Sequence, residues 1–116
     1  MRGATVELHA DRTRALPVVD PEDRELTIGC SAALFHLRLA LRHFGYAGAI
    51  DLFPDPQNPD LLARVRLGER RAATPAEDRL FAAIRARRTN RQPYDDRPVP
   101  PLLLAELGTA AAAEGA

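Results

Sequence analysis

Residues 85–94 read RARRTNRQPY, with arginine at positions 85, 87, 88 and 91 and a hydroxyl at Thr89 between them. Guanidinium forks and a hydroxyl at this spacing can converge on one dianionic phosphate where a helix gives way to a loop. Each partly buried charge pair at contact would contribute a few kcal/mol at an effective dielectric of about 20. Two other readings use the same residues. Arg85, Arg87 and Arg88 can sit at the C-terminal end of a helix, where cations gain about 0.3–1 kcal/mol from the dipole. A nucleic-acid patch is the weakest of the three: Tyr94 is the one nearby aromatic, and Asp95 and Asp96 follow at once. Spacing alone leaves the helix end and the phosphate cradle both open.

The rest of the composition narrows the partners. The chain has 116 residues, 46% of them hydrophobic, enough for one ordinary domain with a core. Sixteen basic residues balance sixteen acidic ones, which excludes bulk attraction to nucleic acid or an anionic membrane and makes any anion site local. Every Lys/Arg position is arginine; a high-GC coding bias accounts for that, yet it makes each cation a rigid fork. Cys30 is the single cysteine, so an internal disulfide framework is excluded, and its apolar neighbours predict a buried small hydrophobe. The opening MRGATVELHADRT lacks the apolar run of a signal peptide. No stretch approaches the roughly twenty apolar residues of a membrane span. A soluble, cytoplasmic protein without a membrane or nucleic-acid partner is expected.

Several elements must position the cluster. Thr5 to Ala10 alternates as a half-buried strand. Asp20 as N-cap and Pro21 at the first helical position predict a helix running to about Phe44, with Gly45 as its left-handed cap. Gly29 weakens that start, and a beginning nearer Cys30 is the alternative. Leu26, Cys30, Ala33, Leu34, Leu37, Leu41 and Phe44 form one apolar stripe, while Phe35 and Leu39 lie off it. A helix apolar on more than one face lies deep in a domain or is shared with a partner. Residues 49–53 (AIDLF) predict a second strand, Asn58-Pro59 a short helical turn through Leu62, and ARVRLG a third strand ended by Gly68. Thr74-Pro75-Ala76-Glu77 has the spacing of a capping box, opening a helix with Leu80, Phe81 and Ile84 on one face. A last helix carries Leu103, Leu104 and Leu107. The fold class is α+β, a long central helix against a small antiparallel or mixed sheet. Its three short strands leave apolar surface to be covered by something larger.

The stretch RARRTNRQPYDDRPVPPLLLAEL resembles the opening motif of nitroreductase-family flavoproteins, in which a helix ends in Arg-Arg-Ser/Thr-x-Arg/Lys before an aromatic and a proline-containing link. From about Glu7 to Ala116 the chain resembles the Acg-like, twin-repeat branch of that family. The further matching segments are ADRTRALPVVDPEDRELTIGCSAALFHLRLALRHFGY and LFPDPQNPDLLARVRLGERRAATPAEDRLFAAI. The resemblance implies FMN as cofactor, NAD(P)H as electron donor, and nitroaromatics or quinones as acceptors. It assigns Arg87, Thr89 and Arg91, with Arg88 beside them, to the ribityl phosphate. Gln92 and Tyr94 stand where related sequences often have a basic residue and phenylalanine. The helix through SAALFHLRLALRHFGY becomes the family's central helix, at a dimer-like interface between two halves. Residues 1–84 correspond to the later part of a first unit and residues 85–116 to the start of a second. The expected chain is therefore a truncated one, completed by a homo-oligomer or by the remainder of a twin-repeat protein.

Nothing apart from the arginine motif points to an enzyme. His36 and His43 could share a helix face, but with His9 they have no third ligand at metal spacing. Asp51, Asp55 and Asp60 lack the glycine and spacing of a calcium loop. Ser31 has no nucleophile elbow, Cys30 no partner that would lower its pKa, and no glycine-rich phosphate loop is present. No catalytic side chain and no metal are expected. A non-catalytic association module, or a remnant that only binds flavin, is the alternative to an oxidoreductase.

Overall fold

The computed structural model describes residues 4–115. The order of elements is β1 (Thr5–His9), a 3-10 turn (Arg12–Arg14), α1 (Arg24–His43), β2 (Tyr46–Leu52), β3 (Leu61–Arg70), α2 (Pro75–Ala86) and α3 (Pro101–Ala113). This is the α+β architecture expected, and the sheet is wholly antiparallel in the order β1-β3-β2.

β3 is central because it has the apolar residues to be covered. Val65 faces Val6 on one side and Ile50 on the other. Leu61, Ala63 and Val65 alternate into the core and are almost wholly buried. Leu62, of the opposite parity, is buried too, so both faces of β3 are covered at this end. The helical turn expected through Leu62 is not formed. Instead Asp55 and Asn58 close a tight turn, with Asn58 N–H donating to the Asp55 carbonyl at 3.0 Å and Leu61 N–H to the Asn58 carbonyl at 3.1 Å. Phe53 N–H then donates to the Leu62 carbonyl at 2.9 Å, which draws Leu61 and Leu62 into the strand. Ladder bonds satisfy backbone groups that a single helical turn would leave open.

β2 starts at Tyr46, three residues before the predicted Ala49, and a register shift separates Tyr46 from Gly48. A Cβ at Gly48 would lie 3.1 Å from Val65 Cγ1, so glycine lets the strand approach the core. Gly45 at φ 80° is the left-handed residue that ends α1, as its sequence position predicts.

The start of α1 differs from expectation in detail. Pro21 lies in a turn, Asp23 adopts φ 54°, and the helix begins at Arg24 and passes through Gly29 without a break. Asp20 still caps it from a distance, its carboxylate accepting from Leu26 N–H at 3.0 Å. Burial would raise the pKa of Asp20, but the N–H groups of Leu26, Glu25 and Arg24 outweigh it and hold the carboxyl below its ordinary value. The apolar stripe is also corrected. The one buried residue of α1 is Leu39, which lies off the predicted stripe, whereas Phe44 at its end is 65% exposed. The side covered is the one onto which α2 and β2 pack, and periodicity cannot say which of two apolar faces that is.

α2 opens as its sequence dictates. Glu77 N–H donates to Thr74 Oγ1 at 3.2 Å and Thr74 N–H donates to Glu77 Oε2 at 2.7 Å, a complete capping box with proline in the first turn. Thr74→Ala is expected to lower stability by about 1 kcal/mol. Urea unfolding followed by circular dichroism would read this as a lower midpoint with unchanged slope.

Candidate functional site

α2 carries the arginine segment, so its attachment to α1 decides where that segment begins. The joint is Arg42. Its Nε donates to Glu77 Oε1 at 2.8 Å and its Nη2 to Glu77 Oε2 at 3.2 Å, a bidentate pair. The remaining donors meet the carbonyls of Arg71 at 2.9 Å and Ala72 at 2.8 Å, so one guanidinium ties α1 to the end of β3 and the start of α2. The Arg42 and Glu77 side chains are only 13% and 26% exposed. The Arg42 guanidinium, helped by Thr74 N–H, holds the Glu77 carboxyl down to about 2. One residue on, His43 Nδ1 lies 2.8 Å from Asp78 Oδ1 and its ring stacks on Phe81 at a centroid distance of 4.1 Å. Phe44 meets Phe81 edge-on at 6.1 Å.

α2 therefore leaves the body of the protein in a defined direction and ends at Ala86. Arg87, the C-cap, turns extended at ψ 136°, and residues 87–100 run without helix or strand. Arg87, Arg88, Thr89 and Arg91 are all exposed. Arg87 Nη1 points to Thr89 Oγ1 at 3.5 Å, which brings a guanidinium and a hydroxyl to one place. Arg88 behaves differently: its Nη1 donates to the carbonyls of Arg85 at 2.8 Å and Arg87 at 2.9 Å. The helix-end reading thus describes Arg88, whose charge sits where α2 leaves carbonyls unpaired. Arg87 and Thr89, two of the expected phosphate ligands, lie side by side and open to solvent. No hydrogen bond or ion pair connects Arg91 to another described residue, and the nearest acidic pairing uses Arg97 with Asp95 at 2.8 Å.

Two features of this region escaped the sequence. Glu77 was visible as half of a capping box, but its second role as partner of Arg42 spans 35 positions and has no local signature. A cleft of about 400 Å³ lies between α1, the sheet and the start of α2, walled by Phe35, Leu39, Ile50 and Leu80. Among the described residues, no three histidine, cysteine, aspartate or glutamate side chains come together as a metal site. Among the same residues, no helix is long and apolar enough to cross a membrane.

A long helix on a small antiparallel sheet, delivering an arginine-rich segment from the end of a capped helix, is consistent with part of a nitroreductase-like fold. The comparisons agree with that class. The chain is 33% identical over 110 residues to the Mycobacterium tuberculosis protein named "Putative NAD(P)H nitroreductase acg", an alignment covering 95% of this chain and 33% of that one. It is 34% identical over 111 residues to "Putative NAD(P)H nitroreductase Rv3131" of the same organism, covering 96% and 32%. A third relative there, "Uncharacterized protein Rv3127", is 37% identical over 91 residues, covering 78% and 26%. No protein-family model matches the chain. The chain is thus a relative of proteins named as NAD(P)H nitroreductases, and it spans between 26% and 33% of the length of these relatives.

Proposed function

We propose that this chain is the phosphate-binding part of an FMN-dependent NAD(P)H oxidoreductase of the nitroreductase kind, from the twin-repeat, Acg-like branch. The observation that carries the reading is a similarity to named nitroreductases running through 95% of the chain, and so through the arginine segment. In this reading residues 1–84 complete a first unit and residues 85–116 open a second. The burial pattern supports the division. Every residue from Arg85 to Gly115 is exposed, whereas the buried residues all lie before it. A second copy, or the rest of a twin-repeat protein, would supply the other walls of a flavin pocket. In this reading the protein works in the cytoplasm, where NAD(P)H would be supplied to it.

The residues present fit the phosphate end of FMN. Arg87 and Thr89 already share one locale, and Arg91 follows two residues later on the same exposed link. Arg88 adds charge while its Nη1 stays on the helix-end carbonyls. A bound flavin would supply the redox chemistry, hydride acceptance from a nicotinamide and electron donation to an electrophilic acceptor such as a nitroaromatic or a quinone. The part of this chain is to bind and orient the phosphate through its guanidinium forks, and none of its side chains need act as a general acid or base.

Titration of FMN fluorescence with the purified protein tests the reading, and the absence of tryptophan keeps the protein background low. Saturable quenching is expected; unchanged fluorescence at high protein concentration would overturn flavin binding by this chain. One observation favours the association module instead: Leu102, Leu104 and Leu107 are 73%, 55% and 57% exposed. Such a module would self-associate in gel filtration and ignore flavin.

A further inference from the structure

α3 exposes Leu102, Leu103, Leu104 and Leu107, and one contact shows where that surface can go. Arg38 Nη1, on α1, donates to Glu114 Oε2 at 2.6 Å, just beyond the end of α3. Glu114 also lines the cleft between α1 and the sheet. Counting back from Glu114 by helical spacing reaches Ala111 or Ala110, then Leu107, then Leu103 or Leu104. The face that bears the ion pair is therefore the face that bears the leucines. The cleft is walled by Phe35, Leu39, Ile50 and Leu80, and Leu80 is itself 49% exposed, while Leu103, Leu104 and Leu107 stand outside it. The 14 residues of the link from 87 to 100 can span up to about 46 Å, so α2 does not hold α3 away.

We propose that α3 closes over this cleft as a strap of the same chain, with the Arg38–Glu114 ion pair as its pivot and the Leu103–Leu107 face as its underside. Two features commit the cleft to α3. Glu114 already stands in it against Arg38, with matched charge. The helix between Pro101 and Ala113 carries a single charged residue, Glu106, so closing it takes almost no charge out of water. Closure would also hold the arginine link at both ends, by the Arg42–Glu77 joint and by α3. The inference does not depend on flavin binding, because the groups that drive it are apolar.

Amide hydrogen exchange on the whole chain tests it without any substitution. A helix of thirteen residues is marginal by itself in water, so protection in α3 reports docking. Amides of residues 104–111 are expected to exchange at least about 10-fold more slowly than an unprotected chain. Arg38→Glu should cut that protection by about fivefold, as befits a surface pair. The charge-reversed double variant Arg38→Glu/Glu114→Arg should restore it. Leu107→Asp should abolish it, whereas on a permanently solvated helix the same change would leave the rates alone. Unprotected α3 amides in the unsubstituted protein would overturn the proposal. So would protection that rises with protein concentration, which would mean that the cleft takes α3 from a second copy.

Discussion

Replacing Arg42 by alanine is expected to lower the unfolding free energy by about 3 kcal/mol, the upper end for hydrogen bonds to charged groups. Four donor contacts go at once: two to Glu77 and one each to the Arg71 and Ala72 carbonyls. A carboxylate only 26% exposed is left without its partner, and that residual charge adds to the loss. Urea unfolding would show the change as a lower midpoint; an unchanged midpoint would mean that the joint contributes nothing. The pH dependence has a definite sign. The folded-state pKa of Glu77 is depressed from 4.5 to about 2 by Arg42 and by Thr74 N–H. Its stabilisation is therefore fully present above the unfolded value and is lost as pH falls from about 4.5 towards 2. Glu77→Gln should remove this acid dependence, with a loss near neutral pH smaller than that of Arg42→Ala, because the amide oxygen can still accept from Thr74 N–H. If Glu77→Gln lost stability between pH 4.5 and 2 as steeply as the unsubstituted chain, another carboxylate would be responsible.

Arg87→Ala and Arg91→Ala are each expected to weaken FMN binding by about 1.5–3 kcal/mol, or roughly 10- to 150-fold, the cost of a charge-assisted hydrogen bond. Both forks would contact one phosphate, so the double variant should lose less than the sum if the phosphate shifts towards Thr89 and Arg88. Arg88→Ala should cost less, since its Nη1 serves the carbonyls of Arg85 and Arg87. The three fluorescence titrations can be run side by side. Equal affinity for the unsubstituted chain, Arg87→Ala and Arg91→Ala would refute the phosphate assignment while leaving the relationship to nitroreductases intact. None of the three residues is buried, so losses in folding stability should be small and binding can be read without confusion.

Local chemistry was legible at several points. The Thr74–Glu77 capping box, the Gly45 stop and the alternation of Ala63, Val65 and Leu67 each rest on residues within one turn or one strand. The same locality explains the errors. Asp20 was legible as a cap, but the distance from which it acts depends on the turn through Pro21 and Asp23. Asn58-Pro59 offered a helical turn, and the pairing of Leu61 and Leu62 with residues near 9 and 53 overrode it. The arginine cluster was legible as an anion site or a helix end; the structure puts Arg88 on the helix-end carbonyls and Arg87 beside Thr89.

By itself the sequence determined the α+β class, the capping box of α2, the Gly45 stop of α1 and the cluster of arginines after α2. These follow from bonds among near neighbours, whose geometry the chain imposes before it folds. Only the tertiary structure decided that Leu39 is the buried residue of α1, that Arg42 and Glu77 make one joint, and that Arg38 meets Glu114 beside an apolar cleft. Those contacts join residues 35 and 76 positions apart. Their partners are selected by which faces the packed helices and sheet bring together, and no periodicity along the chain records that choice.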